Sequence, residues 1–369
     1  MNKDIQGSFT VALVFPRDSE AIFNKNSTQT FGGATVQLYS IAKQLSRYQN
    51  LKTFSIIANY KTIDFEESEA FNLVKTFDLR DSLIKKIYNF HKKIRVIKPD
   101  YIIQRGLSKF TYLLPLYCKI FGIKLVYMLA SDVESSGRYQ RSGRRSFLFK
   151  WLVRFSYLII SQNKFQKEQL LKKYKKNSEV LYSGFEIYPA PSTKTNLVLW
   201  VGRCDAMKRP NTFIELARKN PDYSFIMICP AGKDREFYKK ILQMANSVKN
   251  LKFINFLPFN QTDAYFGRAK ILVNTSDYEG FPQTFIQAAK NATPILSLNV
   301  DPQGFIASHN CGYVTHGDLN QLNKKIQLIL KDEVLFDVLS KNAYLYARQN
   351  HDITTNVRRL MTILKIPLE

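Results

Sequence analysis

The stretch "LVLWVGRCDAMKRPNTFIELARK", residues 197–219, joins an apolar run to an amphipathic segment through a short basic loop. Its first five residues are all apolar, as in a parallel strand that is buried on both faces. After Pro210, apolar residues recur three and four positions apart, which is the spacing of one helix face. The stretch therefore predicts a strand–loop–helix unit of a parallel sheet, with the basic loop at the carboxyl end of the strand.

The same alternation of apolar runs and amphipathic segments continues over most of the chain. The clearest strand-like runs are "FTVALVF" (9–15), "KTFSIIAN" (52–59), "YIIQ" (101–104), "KLVYMLA" (124–130), "SFIMIC" (224–229), "KILVNTS" (270–276) and "PILSLNV" (294–300). Helix-length segments separate them. This order predicts an α/β protein with doubly wound parallel sheets covered by helices on both faces.

The length of the chain and one break in the alternation predict two domains. A chain of 369 residues exceeds one ordinary hydrophobic core. The segment "YPAPSTKTN" (188–196) interrupts the pattern with prolines and small polar residues, as in a linker. We expect Rossmann-like domains over 1–188 and 196–350 that face each other across a cleft, where open α/β sheets bind ligands. Residues 351–369 are expected to form a helix that packs back on the N-terminal domain.

The net charge of +24 is the most informative feature of the composition. Residues 1–190 contain 31 Lys and Arg against 15 Asp and Glu, whereas residues 191–369 contain 23 against 15. The excess positive charge therefore lies mainly in the N-terminal half. It favours an anionic partner such as acidic lipid, nucleic acid or nucleotide phosphate, with a general solubility charge as the alternative.

Cysteine usage and hydropathy predict a cytosolic protein. The four cysteines form no Cys-x-x-Cys pair and no Cys/His cluster, which argues for a reducing compartment and against structural zinc. The apolar run near the N-terminus is too short for a signal peptide. The most apolar window, 111–130, is interrupted by Lys119 and Lys124, so we expect no transmembrane span.

Two loops that follow predicted strands carry candidate anion-binding residues. Gly32 and Gly33 come after a long polar loop (17–31) and before a helix, where free amides can meet an anion, although simple turn chemistry explains them too. Arg203 and Lys208 follow the strand of the opening stretch. Two fixed cations there can neutralise a diphosphate, but they are also two of 54 basic residues.

A third candidate lies in "TSDYEGFPQTFIQAAKNATPI", residues 275–295, which predicts a strand end, a Gly-Pro loop and a helix. Glu279 stands at the strand end and is a candidate ligand-binding carboxylate. The alternative is a structural acid that interacts with the helix dipole. Gln287 lies two turns up the predicted helix, facing the same side as Glu279 if the helix starts early enough.

Taken in order, the segments "FGGATVQLYSIAKQL" (31–45), "VGRCDAMKRP" (201–210) and "DYEGFPQTFIQAAKNATPIL" (277–296) resemble the family 4 glycosyltransferases, which have the GT-B fold. A weaker likeness covers "SYLIISQNKFQKEQLLKKY" (156–174) and "DPQGFIASHNCGYVTHGD" (301–318). The resemblance runs over most of the chain and is strongest from 196 to 320. It implies a retaining, hexosyltransferase-type transfer from a nucleotide-sugar, with no cofactor and no bound metal.

The resemblance also implies roles for the candidate residues. Arg203 and Lys208 match the cations that hold the diphosphate, and Glu279 matches an acid that touches the donor sugar. The other implied donor contacts are the backbone amides around Gly280, Phe281 and Pro282, the ribose position at Gln287, and the glycine loop at Gly32 and Gly33. Cations and helix amides would take the electrostatic role that a metal has elsewhere.

Two positions depart from the family pattern. Gln287 stands where the family has a second acid; an amide can still accept from a ribose hydroxyl, but without the stronger charge-assisted bond. The family often carries a His after the fifth strand of the N-terminal domain, where this chain has Ser131 and Asp132. Asp132 and Arg105, which follows the strand "YIIQ", are therefore candidate acceptor-side residues.

Two basic segments of the N-terminal half are candidates for membrane contact. In 82–98, an apolar stripe alternates with lysines, a pattern that a surface helix packed on its sheet also explains. In 143–158, Phe147, Trp151 and Phe155 share a face, whereas Phe149 and Val153 interrupt the opposite one. A basic helix with aromatic residues suits an anionic bilayer surface, so we expect peripheral binding at the inner face of the plasma membrane.

The sequence thus predicts an enzyme of bacterial surface polysaccharide synthesis, with a nucleotide-sugar donor and a glycan or lipid-linked acceptor. One alternative is a nucleotide-sugar epimerase on the same fold, which would need histidines in the cleft. Another is a basic membrane- or RNA-binding protein that has lost catalysis. No nucleic-acid partner is expected, because aromatic residues interleaved with Arg on a sheet surface are absent from the sequence pattern.

Overall fold

The computed structural model describes residues 9–16, 19–23, 32–60, 72–78, 80–137, 143–190 and 193–368. The chain divides into two compact units, one formed by Met1–Gly184 with Ile353–Glu369 and the other by Phe185–Asp352. The first division therefore falls just before the predicted linker at 188–196, and the chain returns to the first unit at Ile353.

The first unit is built on a seven-stranded sheet in which every neighbouring pair is parallel. Its strands are β1 (Phe9–Phe15), β2 (Leu51–Tyr60), β3 (Leu73–Asp78), β4 (Tyr101–Arg105), β5 (Lys124–Met128), β6 (Leu158–Ser161) and β7 (Glu179–Val180). They lie in the order β3-β2-β1-β4-β5-β6-β7.

The second unit is built on a six-stranded parallel sheet. Its strands are β8 (Thr195–Val201), β9 (Ser224–Ile228), β10 (Leu251–Ile254), β11 (Ala269–Asn274), β12 (Ile295–Ser297) and β13 (Gly312–Val314). The order is β10-β9-β8-β11-β12-β13. The chain thus winds outward from β8 to one edge and then returns to the other side of β8 with β11. The carboxyl ends of β8 and β11 mark the topological switch point, where ligands bind in this class of sheet.

Helices connect the strands in both units. The first unit contains α1 (Glu20–Phe23), α2 (Gly33–Leu45), α3 (Leu83–Ile97), α4 (Leu114–Ile120), α5 (Asp132–Ser135), α6 (Gly143–Phe155) and α7 (Lys164–Tyr174). The second contains α8 (Pro210–Lys219), α9 (Arg235–Asn246), α10 (Phe259–Arg268), α11 (Gln283–Lys290), α12 (Phe305–Ser308), α13 (Leu319–Lys331) and α14 (Glu333–Asn350). The terminal helix α15 (Ile353–Leu364) returns to the first unit.

Both faces of the first sheet are covered by helices. On one face, α2 and α15 share a core in which Leu38 and Ile41 lie with Leu360 and Met361. On the other, α3, α4 and α6 share a second core around Phe90 and Phe149. The predicted terminal helix at 351–369 therefore corresponds to a helix that belongs to the core of the first unit.

The buried face of α6 differs from the sequence-based interpretation. Phe149 and Val153, which were expected to interrupt the outer face, are both buried with Leu152 in the core. Phe147 is 67% exposed. Large apolar residues occur on more than one side of this helix, so its sequence pattern alone did not identify the side that packs on the sheet.

The second sheet is likewise covered on both faces. One core lies around Phe213, Phe225 and Ile326, and the other around Phe266, Phe285 and Phe305. The predicted fold class, two doubly wound Rossmann-like α/β domains, is confirmed. In the described part of the chain, no helix has both the length and the apolar character needed to cross a membrane.

Candidate active site

Three of the predicted site residues lie on the two loops at the switch point of the second sheet. Arg203 and Lys208 follow β8, and Glu279 follows β11, the strand that pairs with β8. Sequence positions more than 70 residues apart therefore meet because the strands on which they end are neighbours.

The β8 loop is held by close packing and by backbone hydrogen bonds. A side-chain carbon added at Gly202 would lie 3.0 Å from the Trp200 ring and 3.1 Å from Lys208 Cδ, so the tight approach leaves little room for a side chain. The loop continues through a short 3₁₀ turn, Ala206–Lys208, and Arg209 then adopts the left-handed conformation before α8 begins. This geometry fixes the backbone that carries Lys208.

Thr275 joins the two loops. Its hydroxyl donates to the Lys208 carbonyl at 2.7 Å and lies 3.0 Å from the Arg209 carbonyl. The same hydroxyl accepts a hydrogen bond from Trp200 Nε1 at 3.0 Å. A second connection runs from the Asp277 amide to the Met207 carbonyl at 2.9 Å. The relative position of Lys208 and Glu279 is therefore set by the fold and not by their contact alone.

Lys208 and Glu279 form an ion pair at the centre of this arrangement. Lys208 Nζ lies 2.9 Å from Glu279 Oε2, and the two side chains retain only 20% and 15% of their exposure. The other carboxylate oxygen accepts from Ser276 Oγ at 2.6 Å and from Asn274 Nδ2 at 3.1 Å. Three donors thus fix the orientation of the Glu279 carboxylate.

The contacts of Glu279 show whether its carboxylate caps the following helix, α11. α11 begins at Gln283, four residues later, and has no side-chain cap. The carboxylate is bonded to Lys208, Ser276 and Asn274 instead of to the first turn of that helix. Glu279 therefore does not cap α11 by a hydrogen bond; its partners lie on β11 and on the loops that follow β8 and β11.

Arg203 is placed differently from Lys208. Its Nε and Nη2 atoms lie 2.8 and 2.7 Å from Asp205 Oδ2, and its side chain is half exposed. Sequence reasoning missed Asp205, although an acid two residues after a loop arginine is a local signal for such a pair. Asn274 and Ser276 were also missed; their signal was the polar run that ends β11.

The loop between β11 and α11 has a mixed character. The Phe281 ring stacks on Phe305 with centroids 5.2 Å apart and lies 5.3 Å from the ring of the buried His351. Its side chain thus anchors the loop in the aromatic core, which leaves its backbone as the part available to a ligand. The implied amide contacts need one correction, because Pro282 has no N–H and cannot donate. Gly280 and Phe281 retain amides that can.

Gln287 lies on the second turn of α11 and is buried. Its Nε2 atom is 3.4 Å from Thr262 Oγ1 on α10. α11 begins at Gln283, after Glu279, so the condition under which the two residues would share a helix face is not met. One turn further, Lys290 forms an ion pair with Asp263 at 2.5 Å, which joins α11 to α10 and was not foreseen.

The first unit contains the remaining predicted residues. Gly32 has an extended backbone and precedes α2, and Gly33 is the first residue of that helix. α2 has neither a side-chain cap nor an acidic residue in its first turn, so its N-terminal amides suit an anion. Most of the predicted polar loop at 17–31 lies outside the described residues.

Arg105 ends β4, at the carboxyl edge of the first sheet, and is buried. Its Nη2 donates to Ser183 Oγ at 3.3 Å, whereas its Nε has no hydrogen-bond partner among the described residues. Burial lowers the pKa of this guanidinium to about 10. A buried arginine with unused donors is costly unless an anion or water satisfies it, which fits a ligand-facing role.

Asp132 and the neighbouring Glu134 hold the loop after β5. Asp132 Oδ1 accepts from Gln166 Nε2 at 2.9 Å and from Asn163 Nδ2 at 3.2 Å. Glu134, which sequence reasoning missed, is buried and accepts from the Tyr127 hydroxyl at 2.9 Å and the Ala130 amide at 3.0 Å. Desolvation raises the pKa of Glu134 to about 7, against the opposing effect of these hydrogen bonds and of the Arg105 charge.

Residues 188–346 match the family model of glycosyl transferases group 1. This match lies within the second unit. Over 116 residues the chain is 30% identical to 2-deoxystreptamine N-acetyl-D-glucosaminyltransferase from Niallia circulans, a match that spans 30% of this chain and 30% of that enzyme. Both matches are to parts of the chain.

Solved structures extend the likeness to both units. Sucrose-phosphate synthase from Thermosynechococcus elongatus superposes with a TM-score of 0.77 at 16% identity, covering 97% of this chain and 98% of that one. Anabaena Alr3699/HepE in complex with UDP-glucose gives 0.72 at 15% identity, over 96% and 99%. WaaG, a glycosyltransferase involved in lipopolysaccharide biosynthesis, gives 0.65 at 16% identity, over 96% and 99%. At these identities the likeness shows the fold, and the predicted GT-B fold is confirmed.

Proposed function

We propose that the protein is a glycosyltransferase that moves a sugar from a nucleotide-sugar donor to a glycan or lipid-linked acceptor. The observation that carries the proposal is the largely buried Lys208–Glu279 pair at the switch point of the glycosyl transferases group 1 domain. A desolvated ion pair stabilises a fold poorly compared with an apolar contact, so its presence at a ligand-binding edge favours a functional role.

Lys208 and Arg203 would bind the diphosphate of the donor. An ammonium has three donors, so Lys208 can keep its bond to Glu279 and still contact a phosphate oxygen. Arg203 uses two of its five N–H groups on Asp205 and retains others for a second oxygen. Together the two cations would stabilise the negative charge that develops on the leaving diphosphate.

Glu279 would orient the donor sugar. Its carboxylate is held by three donors, yet each oxygen of an ionised carboxylate accepts about two hydrogen bonds, which leaves capacity for a sugar hydroxyl. A pre-oriented acceptor loses little freedom when the sugar binds. The amides of Gly280 and Phe281 would add contacts to the donor from the same loop.

The finer features of the reaction follow from the family likeness. We infer retention of configuration, with the leaving diphosphate taking the proton of the attacking acceptor hydroxyl, and no metal or other cofactor. Gln287 would contact the ribose through neutral hydrogen bonds. Gly32 and Gly33 would approach the diphosphate, whereas Arg105 and Asp132 would serve the acceptor; an unsatisfied guanidinium at Arg105 suits an acceptor with an anionic group.

What is known from the names of the similar proteins supports a nucleotide-sugar donor. Alr3699/HepE binds UDP and UDP-glucose, and the Niallia enzyme is named for the transfer of N-acetyl-D-glucosamine. WaaG acts in lipopolysaccharide biosynthesis, so we propose bacterial surface polysaccharide or glycolipid synthesis as the setting. The reaction would take place on the cytoplasmic side, at the inner face of the plasma membrane.

Ligand binding and slow donor hydrolysis test the proposal. The purified protein is heated with UDP, GDP or ADP, and at least one of the three is expected to raise its melting temperature. The matching nucleotide-sugar is then tested for hydrolysis without an acceptor. Lys208→Ala is expected to lower both signals and Glu279→Ala to lower donor hydrolysis, whereas Lys239→Ala and Glu236→Ala, which break an exposed pair at 2.9 Å on α9, serve as matched controls.

The same experiment separates the rival functions. A nucleotide-sugar epimerase would convert the donor into its epimer without releasing free sugar. A protein that has lost catalysis would bind nucleotide and release nothing. Stabilisation by none of the three nucleotides would refute the proposed function.

A further inference from the structure

Three helices of the first unit present one continuous outer surface. α3, α4 and α6 pack on the same face of the sheet through a shared core. The Phe90 and Tyr117 rings, 5.4 Å apart, join α3 to α4, and Lys119 Nζ lies 5.5 Å from the Phe155 ring, which joins α4 to α6. The outward sides of these helices, with Phe121 and Tyr157 at their ends, are here called the α3–α4–α6 surface.

The α3–α4–α6 surface exposes many large apolar side chains. Among the described residues, ten of the nineteen exposed large hydrophobic side chains lie on it: Leu83, Ile84, Ile87, Tyr88, Val96, Leu116, Ile120, Phe121, Phe147 and Tyr157. Ile84 is 81% exposed and Val96 is 80% exposed. Single exposed apolar residues are ordinary, but a concentration of this size on one layer of helices marks an interaction surface.

The same surface is strongly basic. Residues 83–124 and 143–157 contain fourteen Lys and Arg and a single acidic residue, Asp100. Of those cations whose side-chain exposure the structure describes, only Arg105 is buried, so it is not part of the surface. Lys92, Lys93 and Arg95 are exposed and form no ion pair with a described carboxylate. Their charges are therefore available to a partner.

A cavity of about 400 Å³ opens between the end of α3 and the first residues of β4 and β5. Arg95, Lys98 and Lys124 line it together with Tyr117 and Phe121 and with one carboxylate, Asp100, so the lining keeps an excess of two positive charges. Three cations beside aromatic rings suit a phosphate group that is attached to an apolar molecule. The cavity lies at the amino ends of the strands, whereas Arg105 lies at their carboxyl ends.

We propose that the α3–α4–α6 surface docks the protein on a bilayer of anionic phospholipid, with a headgroup phosphate in the cavity. The apolar side chains would enter the interface, while the lysine and arginine stems reach the headgroups around them. The bilayer then contacts both the apolar side chains and the cations of the surface. The inference deepens the membrane location proposed above, but none of its residues belongs to the candidate active site.

Two other partners, RNA and a second copy of this chain, match the surface less well. RNA would neutralise the cations but leave Ile84, Val96 and Ile120 in water, since nucleic acids stack on aromatic side chains. A second copy of this chain would place like charges against each other across a symmetric interface, which is unfavourable. An anionic bilayer is the partner for which charge and apolar area are both complementary.

Vesicle co-sedimentation tests the docking. The full-length protein is mixed with vesicles of phosphatidylcholine alone or of equal parts phosphatidylcholine and phosphatidylglycerol. The variant Lys92→Gln/Lys93→Gln/Arg95→Gln is expected to bind the anionic vesicles about a hundredfold more weakly, because each of the three charges contributes about fivefold. The control variant Lys219→Gln/Lys240→Gln/Lys249→Gln removes three exposed cations of the second unit and should bind as the unaltered protein does.

A second pair of variants tests the apolar half. Ile84→Ser/Ile120→Ser/Phe147→Ser is expected to weaken binding at high salt, where the charges are screened. The matched control, Leu328→Ser/Val334→Ser/Val338→Ser, removes exposed apolar side chains of the second unit. Because all six positions are exposed, both variants should fold, which their melting temperatures check.

The outcomes separate docking from catalysis. Equal binding to neutral and anionic vesicles, equal loss in the test and control variants, or preference for poly(A) RNA over vesicles would each overturn the docking proposal. Donor hydrolysis in solution should be unchanged in all four surface variants. If no nucleotide stabilises the unaltered protein and it hydrolyses no donor, the proposed function fails, while vesicle binding still supports docking.

Discussion

Replacing Glu279 by Gln is predicted to separate nucleotide binding from turnover. The substitution keeps the shape of the side chain but removes the negative charge 2.9 Å from Lys208 Nζ. In the present arrangement that carboxylate already neutralises the lysine, and a diphosphate must share the ammonium with it. If UDP is the nucleotide that the melting-temperature screen selects, we therefore expect Glu279→Gln to bind UDP more tightly and yet to turn over the UDP-sugar more slowly.

The size of the binding effect follows from the charges. At 2.9 Å and an effective dielectric constant of about 20, two unit charges interact by about 6 kcal/mol before the cost of desolvation is subtracted. A diphosphate on the far side of Lys208 would lie about 7 Å from the carboxylate. Removing that charge is then worth about 1–2 kcal/mol after screening, or about 5- to 30-fold in Kd.

The turnover effect has the opposite sign. The proposed contact between the Glu279 carboxylate and a sugar hydroxyl is a charge-assisted hydrogen bond, worth about 1.5–3 kcal/mol. Its replacement by a neutral amide is expected to lower kcat about tenfold to a hundredfold. Lys208→Met removes the cation instead, so it should weaken UDP binding and turnover together.

Isothermal titration calorimetry with UDP and a coupled assay for UDP release measure the two effects. Glu279→Gln, Lys208→Met and the double variant are compared with Glu236→Gln and Lys239→Met, the exposed pair on α9. If Glu279→Gln weakens UDP binding as much as Lys208→Met does, the carboxylate does not compete with the diphosphate, and the proposed division of roles is wrong.

Three further predictions concern the same two units. Glu279→Ala and Lys208→Ala should each cost much more UDP release than Gln287→Ala, and similar losses in all three would contradict the roles given above. Thr275→Val leaves the Lys208 carbonyl without its donor and should cost about 1–3 kcal/mol of unfolding free energy in urea denaturation; an unchanged midpoint would show that Thr275 does not fix the loops. Burial raises the pKa of Glu134 from 4.5 to about 7, so the folded protein binds the extra proton and stability falls as the pH rises through that range. Glu134→Gln should remove this slope, a change of about 3 kcal/mol at most between about pH 5 and about pH 8; a slope as steep as that of the unaltered protein would refute the assignment.

Several strands were predictable because they are continuous or nearly continuous apolar runs. β1 (Phe9–Phe15) coincides with the predicted strand at 9–15. A strand that is buried on both faces is apolar throughout and does not alternate between apolar and polar residues. β13 (Gly312–Val314) was not predicted. It has only three residues, and a side chain at Gly312 would collide with the Ile295 carbonyl, so its first residue must be a glycine that gives no strand signal.

The site residues were predictable in position but not in pairing. A loop after a parallel strand lies at the ligand-binding edge, which singles out Lys208 and Glu279. That these two meet depends on β8 lying beside β11, which no local pattern records. Arg203 has the same local signal as Lys208, yet Asp205 binds it two residues away. The sequence therefore did not show which of the two cations contacts Glu279.

Glu134 shows a different reason for failure. Its sequence neighbourhood, an acid near the start of a short helix, is ordinary and predicts a solvated residue. The fold instead buries the carboxylate beneath the Tyr127 hydroxyl and the Ala130 amide. Burial of a charged group depends on tertiary packing, so neither composition nor spacing could identify it.

The surroundings of Gln287 are compatible with a neutral side chain at the position where the family has an acid. Its buried position on α11 is satisfied by a neutral contact with Thr262, and a carboxylate there would have to be desolvated. The charged part of the site is complete without it, since Glu279 is held by three donors and Lys208 by both its ion pair and the Thr275 connection. A largely buried pair of this kind costs stability compared with apolar side chains. If the proposed roles hold, a neutral Gln287 predicts weaker binding of the ribose with transfer preserved, and the comparison of Gln287→Ala with Glu279→Ala and Lys208→Ala tests this.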